Sequence, residues 1–227
     1  MDTFAIFFLN DRINLIPLVF WWLMFAVSAL LLFLLRREHI SKALKSALKI
    51  SVGAAVFFRV FWAALLSYGQ YYVWSQNDFG RLLLTTPLPQ EASTPAYETL
   101  FPFLFTWDKG YYVHYIFGRF WVEALLSVLA ALAFYGLLAV FRKYKDRFFR
   151  EGEVLLGFLC ALIVGWPMTA VFIGGVGVFA VLFSVARYAL KHELYTTLGA
   201  PFVASAAACL LFAQFILKLT PLSVLLM

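Results

Sequence analysis

Apolar runs at approximately 14–35, 48–69, 112–141, 153–172, 173–190 and 199–218 take up most of this chain, and several are as long as a helix that crosses a bilayer. A hydrocarbon core about 30 Å thick takes about 20 helical residues, and a helix satisfies its own backbone groups inside it. With 64% of its 227 residues apolar and only 13% charged, the sequence falls outside the range of soluble domains. The expected fold is all-α: a polytopic integral membrane protein, a bundle of about six transmembrane helices forming a single domain over residues 1–227. The stretch from Glu153 to Tyr188 is too long for one crossing. It should divide near Trp166-Pro167 or Gly174-Gly175 into two short helices joined by a tight outer turn.

The formal charge of +6 does not point to nucleic acid, because Lys and Arg gather in two short segments, Arg36 to Lys49 and Arg142 to Arg150, that flank apolar runs. This is the pattern of the positive-inside rule, and such segments also touch anionic lipid. With those segments in the cytoplasm the N-terminus is external, the second run leads outward, and residues 70–111 lie outside. Arg187, Lys191 and His192 then end the fifth run inside, in agreement. The outer stretch of about 70–111 carries Tyr71, Tyr72, Trp74, Trp107 and Tyr111 among Pro87, Pro89, Pro95 and Pro102. Tyr and Trp favour the headgroup level, so an external aromatic cap is expected there, with a short helix from Tyr97 to Phe105. The first run, which lacks a basic leader, serves as its own insertion signal rather than a cleaved peptide. Cys160 and Cys209 both lie in apolar runs and are expected as small buried hydrophobes.

Arg59 stands about halfway along the run from Ile50 to Tyr68. A charge at that depth costs roughly 2.5–3.5 kcal/mol on insertion scales, so it calls for a partner. Counting from the outer ends, Arg59 lies about 16 Å below Gln70 and Glu123 about 16 Å below Tyr112, which makes them candidates to pair. Tyr115, Arg119 and Glu123 follow at i, i+4 and i+8, one helical face, with His114 near the outer mouth. Two arginines against one carboxylate suit a lipid phosphate, and the same triad can equally serve only to fix helix register. His114 is a candidate general base, and at a membrane interface it can equally be a plain hydrogen-bonded residue. No P-loop, GxSxG, HExxH or metal-spaced Cys/His set occurs, so neither a metal nor another cofactor is expected. Gly174-Gly175-Val176-Gly177 reads as a place of close helix contact.

Three segments resemble the prolipoprotein diacylglyceryl transferases. Trp21-Trp22-Leu23-Met24-Phe25 is similar to that family's aromatic-Gly-Leu-Met-Phe opening. Gly53-Ala54-Ala55-Val56-Phe57-Phe58-Arg59 is similar to its Gly-Gly-x-x-Gly-Ala-Arg run, and Trp107-Asp108-Lys109-Gly110-Tyr111-Tyr112-Val113-His114 to its Trp-x-Gly-Gly-x-Ser-x-His segment. The resemblance covers about residues 14–145. It implies a plasma-membrane (bacterial inner-membrane) enzyme that moves diacylglycerol from phosphatidylglycerol to a lipoprotein cysteine. Arg59, Arg119, Tyr115 and Trp107 would handle the lipid, His114 would act as base and Glu123 would orient the arginines. The expected partners are a membrane phospholipid, phosphatidylglycerol in particular, and a lipoprotein or other membrane protein. The chain departs from the pattern at His114-Tyr115-Ile116, where the family has His-Gly-Gly. It departs again at Gly165-Trp166-Pro167-Met168-Thr169, which lacks the Arg and Asn of the family's fourth-helix motif.

The C-terminal half resembles another family, the prepilin peptidases. Arg150-Glu151-Gly152-Glu153-Val154-Leu155-Leu156, Gly165-Trp166-Pro167 and Leu198-Gly199-Ala200-Pro201-Phe202 match its last helices in order and spacing. That family's chemistry uses two carboxylates, one as acid and one as base. Here Glu153 stands in one place and Leu34 in the nearest equivalent of the other. This implies a degenerate, prepilin-peptidase-like protein. A non-enzymatic membrane scaffold or assembly subunit is the alternative from a different functional class.

Overall fold

The computed structural model describes residues 13, 15–37, 42–88, 103, 105, 108–145, 149–192 and 197–219. The elements are α1 (Leu15–Arg37), α2 (Lys42–Ser75), α3 (Asp78–Leu84), α4 (Gly110–Ile116), α5 (Val122–Tyr144), α6 (Glu153–Val164), α7 (Met168–Lys191) and α8 (Gly199–Leu219). A π-helical turn, Phe117–Trp121, joins α4 to α5. The all-α expectation therefore holds for the described residues.

Among the described residues four runs, Leu15–Leu35, Lys42–Ser75, Gly110–Tyr144 and Met168–Leu190, are long and apolar enough to cross a membrane, where about six spans were expected. Only 17% to 28% of their most apolar windows is buried, so most of that apolar surface faces outward. Water would not tolerate so large an outward apolar area, whereas lipid does. The helices thus mark a membrane protein by length and composition.

The chain divides into two compact units, Met1–Pro17 with Val60–Glu123, and Leu18–Arg59 with Ala124–Met227. In the second unit, α6 is the central element. Every residue from Glu153 to Ile163 except Leu155 is buried, consistent with a helix that is apolar on all sides and therefore surrounded. Its C-terminal break falls at Gly165–Pro167, the first of the two expected positions. The second expected position is continuous helix: α7 runs straight through Gly174 and Gly175. Gly175 is needed there because a Cβ would overlap the hydroxyl of Ser205, which donates to the Phe172 carbonyl at 2.8 Å.

The breadth of α6 and α7 also differs from expectation. At 12 residues α6 is only about 18 Å long, well short of a membrane crossing. Three contacts fix its course against α5: Leu138 lies on Gly157, Tyr135 meets Phe158 at 5.3 Å, and Trp166 N–H donates to Ser127 Oγ at 2.9 Å. The helix therefore runs antiparallel to α5 and turns at the level of Ser127. Helix α7 returns alongside α5, with Phe172 against Phe134 at 5.5 Å. Phe202 of α8 meets the same Phe134 at 6.0 Å and closes the core. Cys160 and Cys209 are free and buried, as expected.

In the first unit, α2 continues to Ser75, so Gln70 to Ser75 belong to that helix rather than to a loop. Asn77 caps α3 by accepting from Gly80 N–H, where any side chain would strike the Trp74 backbone. Aromatic rings then gather between the end of α2 and α4: Trp74 lies 5.9 Å from Tyr112 and 5.1 Å from Tyr115, and Tyr71 lies 5.8 Å from Tyr112. Tyr112 Oη donates to Ser67 O at 2.8 Å and Trp121 Nε1 to Ser67 Oγ at 3.1 Å. Tyr71, Tyr72, Trp74 and Tyr111, expected in an external cap, thus lie on helix ends. Trp107 and most of the stretch from Tyr97 to Phe105 lie outside the described residues.

Candidate functional site

Arg59 extends from α2 to the C-terminal end of α6. Its Nε and Nη2 both donate to the Leu162 carbonyl oxygen, at 3.2 and 2.6 Å, and its guanidinium carbon sits 4.4 Å from the centroid of the Trp21 ring. The last four carbonyls of any helix lack partners within it, and they carry the negative end of the helix dipole. Leu162 is one of these four in α6. A guanidinium is well suited to the position, since it is permanently charged and offers a planar fork of donors. Phe58, stacked on Phe20 with ring centroids 3.6 Å apart, packs beside Trp21 and fixes the wall behind the cation.

The break after α6 is shaped around this cation. Gly165 has φ +70 and ψ 173, a conformation open essentially only to glycine, and a Cβ there would overlap the Arg59 guanidinium. Ser127, fully buried on α5, accepts from Trp166 N–H, and Thr169 Oγ1 donates back to the Gly165 carbonyl at 2.9 Å. The polar groups freed by the break are thus met by side chains from three helices.

At the opposite end of α6 stands Glu153, only 1% exposed. Its Oε2 accepts from Arg150 N–H at 3.1 Å, and its carboxyl also accepts from the Thr197 hydroxyl and from Gly199 N–H. Gly199 opens α8, so the carboxylate caps that helix where its orphan donors and positive dipole end lie. A Cβ at Gly199 would overlap both Glu153 Oε1 and Leu32 Cδ1. Gly152, with φ +87, lies against Leu35 and Leu48. Glu153, Gly199 and the C-terminal turns of α1 therefore meet at one place, and α1 contributes leucines to it.

Tyr115, Arg119, Glu123 and His114 belong to the first unit and Arg59 to the second. The π-turn, marked by Val122 N–H bonding to the Phe117 carbonyl, inserts extra backbone between Tyr115 and Glu123. The i, i+4, i+8 face assumed a uniform α-helix, which this turn interrupts. Tyr115 is half-buried against Trp74, His114 is half-buried, and Arg119 and Glu123 are exposed. Trp107 lies outside the described residues.

Outside the apolar runs, Lys45 Nζ pairs with Glu151 Oε2 at 2.7 Å. The lysine's hydrogen bond and charge hold the Glu151 carboxyl below the usual carboxylate range. Among the described residues no cluster of three or more His, Cys, Asp or Glu is placed to hold a metal ion.

Leu162 and Ser127 were not foreseen from the sequence, and Trp21 and Gly199 stood out there only within motifs, with no link to Arg59 or Glu153. Backbone acceptors leave no mark in a sequence, but the short interval between Gly152 and Gly165 was a usable signal. A helix that ends inside an apolar region must have its carbonyls met by something, and Arg59 was the nearest unexplained cation. Set against known proteins, the chain matches no family model, no curated protein and no solved structure.

Proposed function

We propose that this chain is a non-enzymatic membrane subunit, a scaffold or assembly protein on a prepilin-peptidase-like frame. One observation carries the reading: Glu153, the carboxylate in the position where that family places a catalytic aspartate, is buried, capped by three donors and faced by Leu32. Acid–base peptide hydrolysis of this kind needs a second carboxylate and room for water between the two. Leu34, at the nearest equivalent of the second aspartate, packs on the hydrophobic core instead. In this reading the polar group at the start of α6 works as a helix cap. The subunit is placed in the plasma (inner) membrane with the N-terminus external and the basic segments cytoplasmic, and the α6–α7 hairpin enters from the basic side. The test is reconstitution into liposomes with a prepilin leader substrate and extraction from native membranes. No cleavage and migration as a complex with another membrane protein are expected, and cleavage that Glu153→Gln abolishes would overturn the reading.

A second reading, phospholipid recognition with diacylglyceryl transfer, is favoured by a different observation. Arg119 is exposed within the apolar run Gly110–Tyr144, inside a π-turn, a feature frequent at functional sites. In this reading Arg119 holds the lipid phosphate, Tyr115 lines its approach and His114, one turn and more toward the start of α4, is the base. Arg119→Ala and His114→Ala are then expected to abolish lipoprotein modification by phosphatidylglycerol. Unchanged modification in both would discard it.

A further inference from the structure

A cavity of about 520 Å³ opens in the second unit between the end of α5 and the middle of α7. Its volume lies within the roughly 300–1,000 Å³ typical of small-ligand pockets. Phe141, Phe149, Val181 and Val185 form apolar walls, and Ser184 and Lys145 are polar members. Phe141, Val181 and Val185 are 53%, 64% and 62% exposed, so the cavity opens sideways onto the surface that these apolar helices turn outward. Lys145 is the first residue past the end of α5, whose last turn carries Arg142 and Lys143.

We propose that this cavity binds one acyl chain of an anionic phospholipid, with the headgroup phosphate on Lys145. The apolar walls match a hydrocarbon chain, and the cation favours a head of net negative charge. A basic residue at the end of a membrane helix lies at headgroup level, where charge attraction to anionic lipid is strongest. A lateral opening lets the chain slide in from the bilayer without leaving lipid. A zwitterionic lipid buries the same chain, but its own ammonium offsets the phosphate charge and it gains less from Lys145, so the site selects by net head charge.

The experiment uses the full chain in nanodiscs of equal phosphatidylglycerol and phosphatidylcholine, followed by native mass spectrometry of the released protein. Wild type is expected to retain phosphatidylglycerol over phosphatidylcholine. Lys145→Gln should lower that preference about fivefold, the effect of one basic residue near the surface. The double variant Val181→Trp/Ser184→Phe, which fills the cavity, should lose the retained lipid. Leu129→Trp, similarly exposed but about 18 Å along α5 from Phe141, should keep it, and so should Arg119→Ala. Equal retention of the two lipids by wild type, retention by the filled variant, or equal loss in Leu129→Trp would overturn the proposal. Loss in Arg119→Ala would assign the lipid to a site around that arginine and overturn it too.

Discussion

Replacing Gly165 with alanine probes the contact on which the break after α6 depends. Two costs follow from the geometry. With φ +70 and ψ 173, any residue other than glycine is strained by about 1–3 kcal/mol. The added Cβ would also overlap the Arg59 guanidinium, which must withdraw from Leu162 and give up a charged hydrogen bond of about 1.5–3 kcal/mol. Gly165→Ala should therefore destabilise the protein by roughly 2.5–6 kcal/mol. The same change made in an Arg59→Ala background should cost only the backbone strain, about 1–3 kcal/mol, which leaves a coupling of about 1.5–3 kcal/mol between the two sites. Unfolding of the four proteins in bicelles by added SDS, followed by tryptophan fluorescence, measures all of these. A Gly165→Ala cost below about 1 kcal/mol would refute the strained conformation. An equal cost in both backgrounds would refute the close contact with Arg59.

Ser127→Ala leaves Trp166 N–H without its acceptor in a buried turn and should cost about 1–3 kcal/mol, read in the same assay. Arg59→Lys, which keeps the charge but cannot fork onto one carbonyl, should recover only part of the stability lost in Arg59→Ala. The lowered carboxyl of Glu151 stabilises the folded state above the ordinary carboxylate range, and that contribution is lost as pH falls through its lowered value. Wild type and Glu151→Gln should thus differ slightly at neutral pH, converge in acid, and converge at neutral pH in high salt, because the pair is exposed.

Much of the architecture was legible because lipid imposes long apolar runs and charge bias sets their ends. The division near Trp166-Pro167 was legible too, since glycine and proline together interrupt a helix whatever surrounds it. The alternative at Gly174-Gly175 was not separable by sequence, because glycines within apolar helices also serve close packing, as Gly175 does against Ser205. The need of Arg59 for a partner was legible, but the search for one was confined to side chains. Its acceptor at Leu162 is a backbone carbonyl, available only because α6 stops within the apolar region. The face shared by Tyr115, Arg119 and Glu123 assumed a uniform 3.6-residue turn, and the π-turn at Phe117–Trp121 has no sequence signature by which to foresee it. For Glu153, spacing marked the place where α6 begins, but its enclosure by Arg150, Thr197 and Gly199 depends on a contact across 46 residues of chain.

The central claim, that the Glu153 carboxylate is a helix cap rather than half of a catalytic pair, is tested most directly by the stabilities of Glu153→Ala and Glu153→Gln in bicelles. Alanine strands the donors of Arg150, Thr197 and Gly199 and should cost roughly 2–4 kcal/mol, whereas glutamine, which keeps an acceptor oxygen, should lose less than half as much. Wild-type stability or better in both variants, as expected where a carboxylate is held in place for chemistry rather than for the fold, would contradict it.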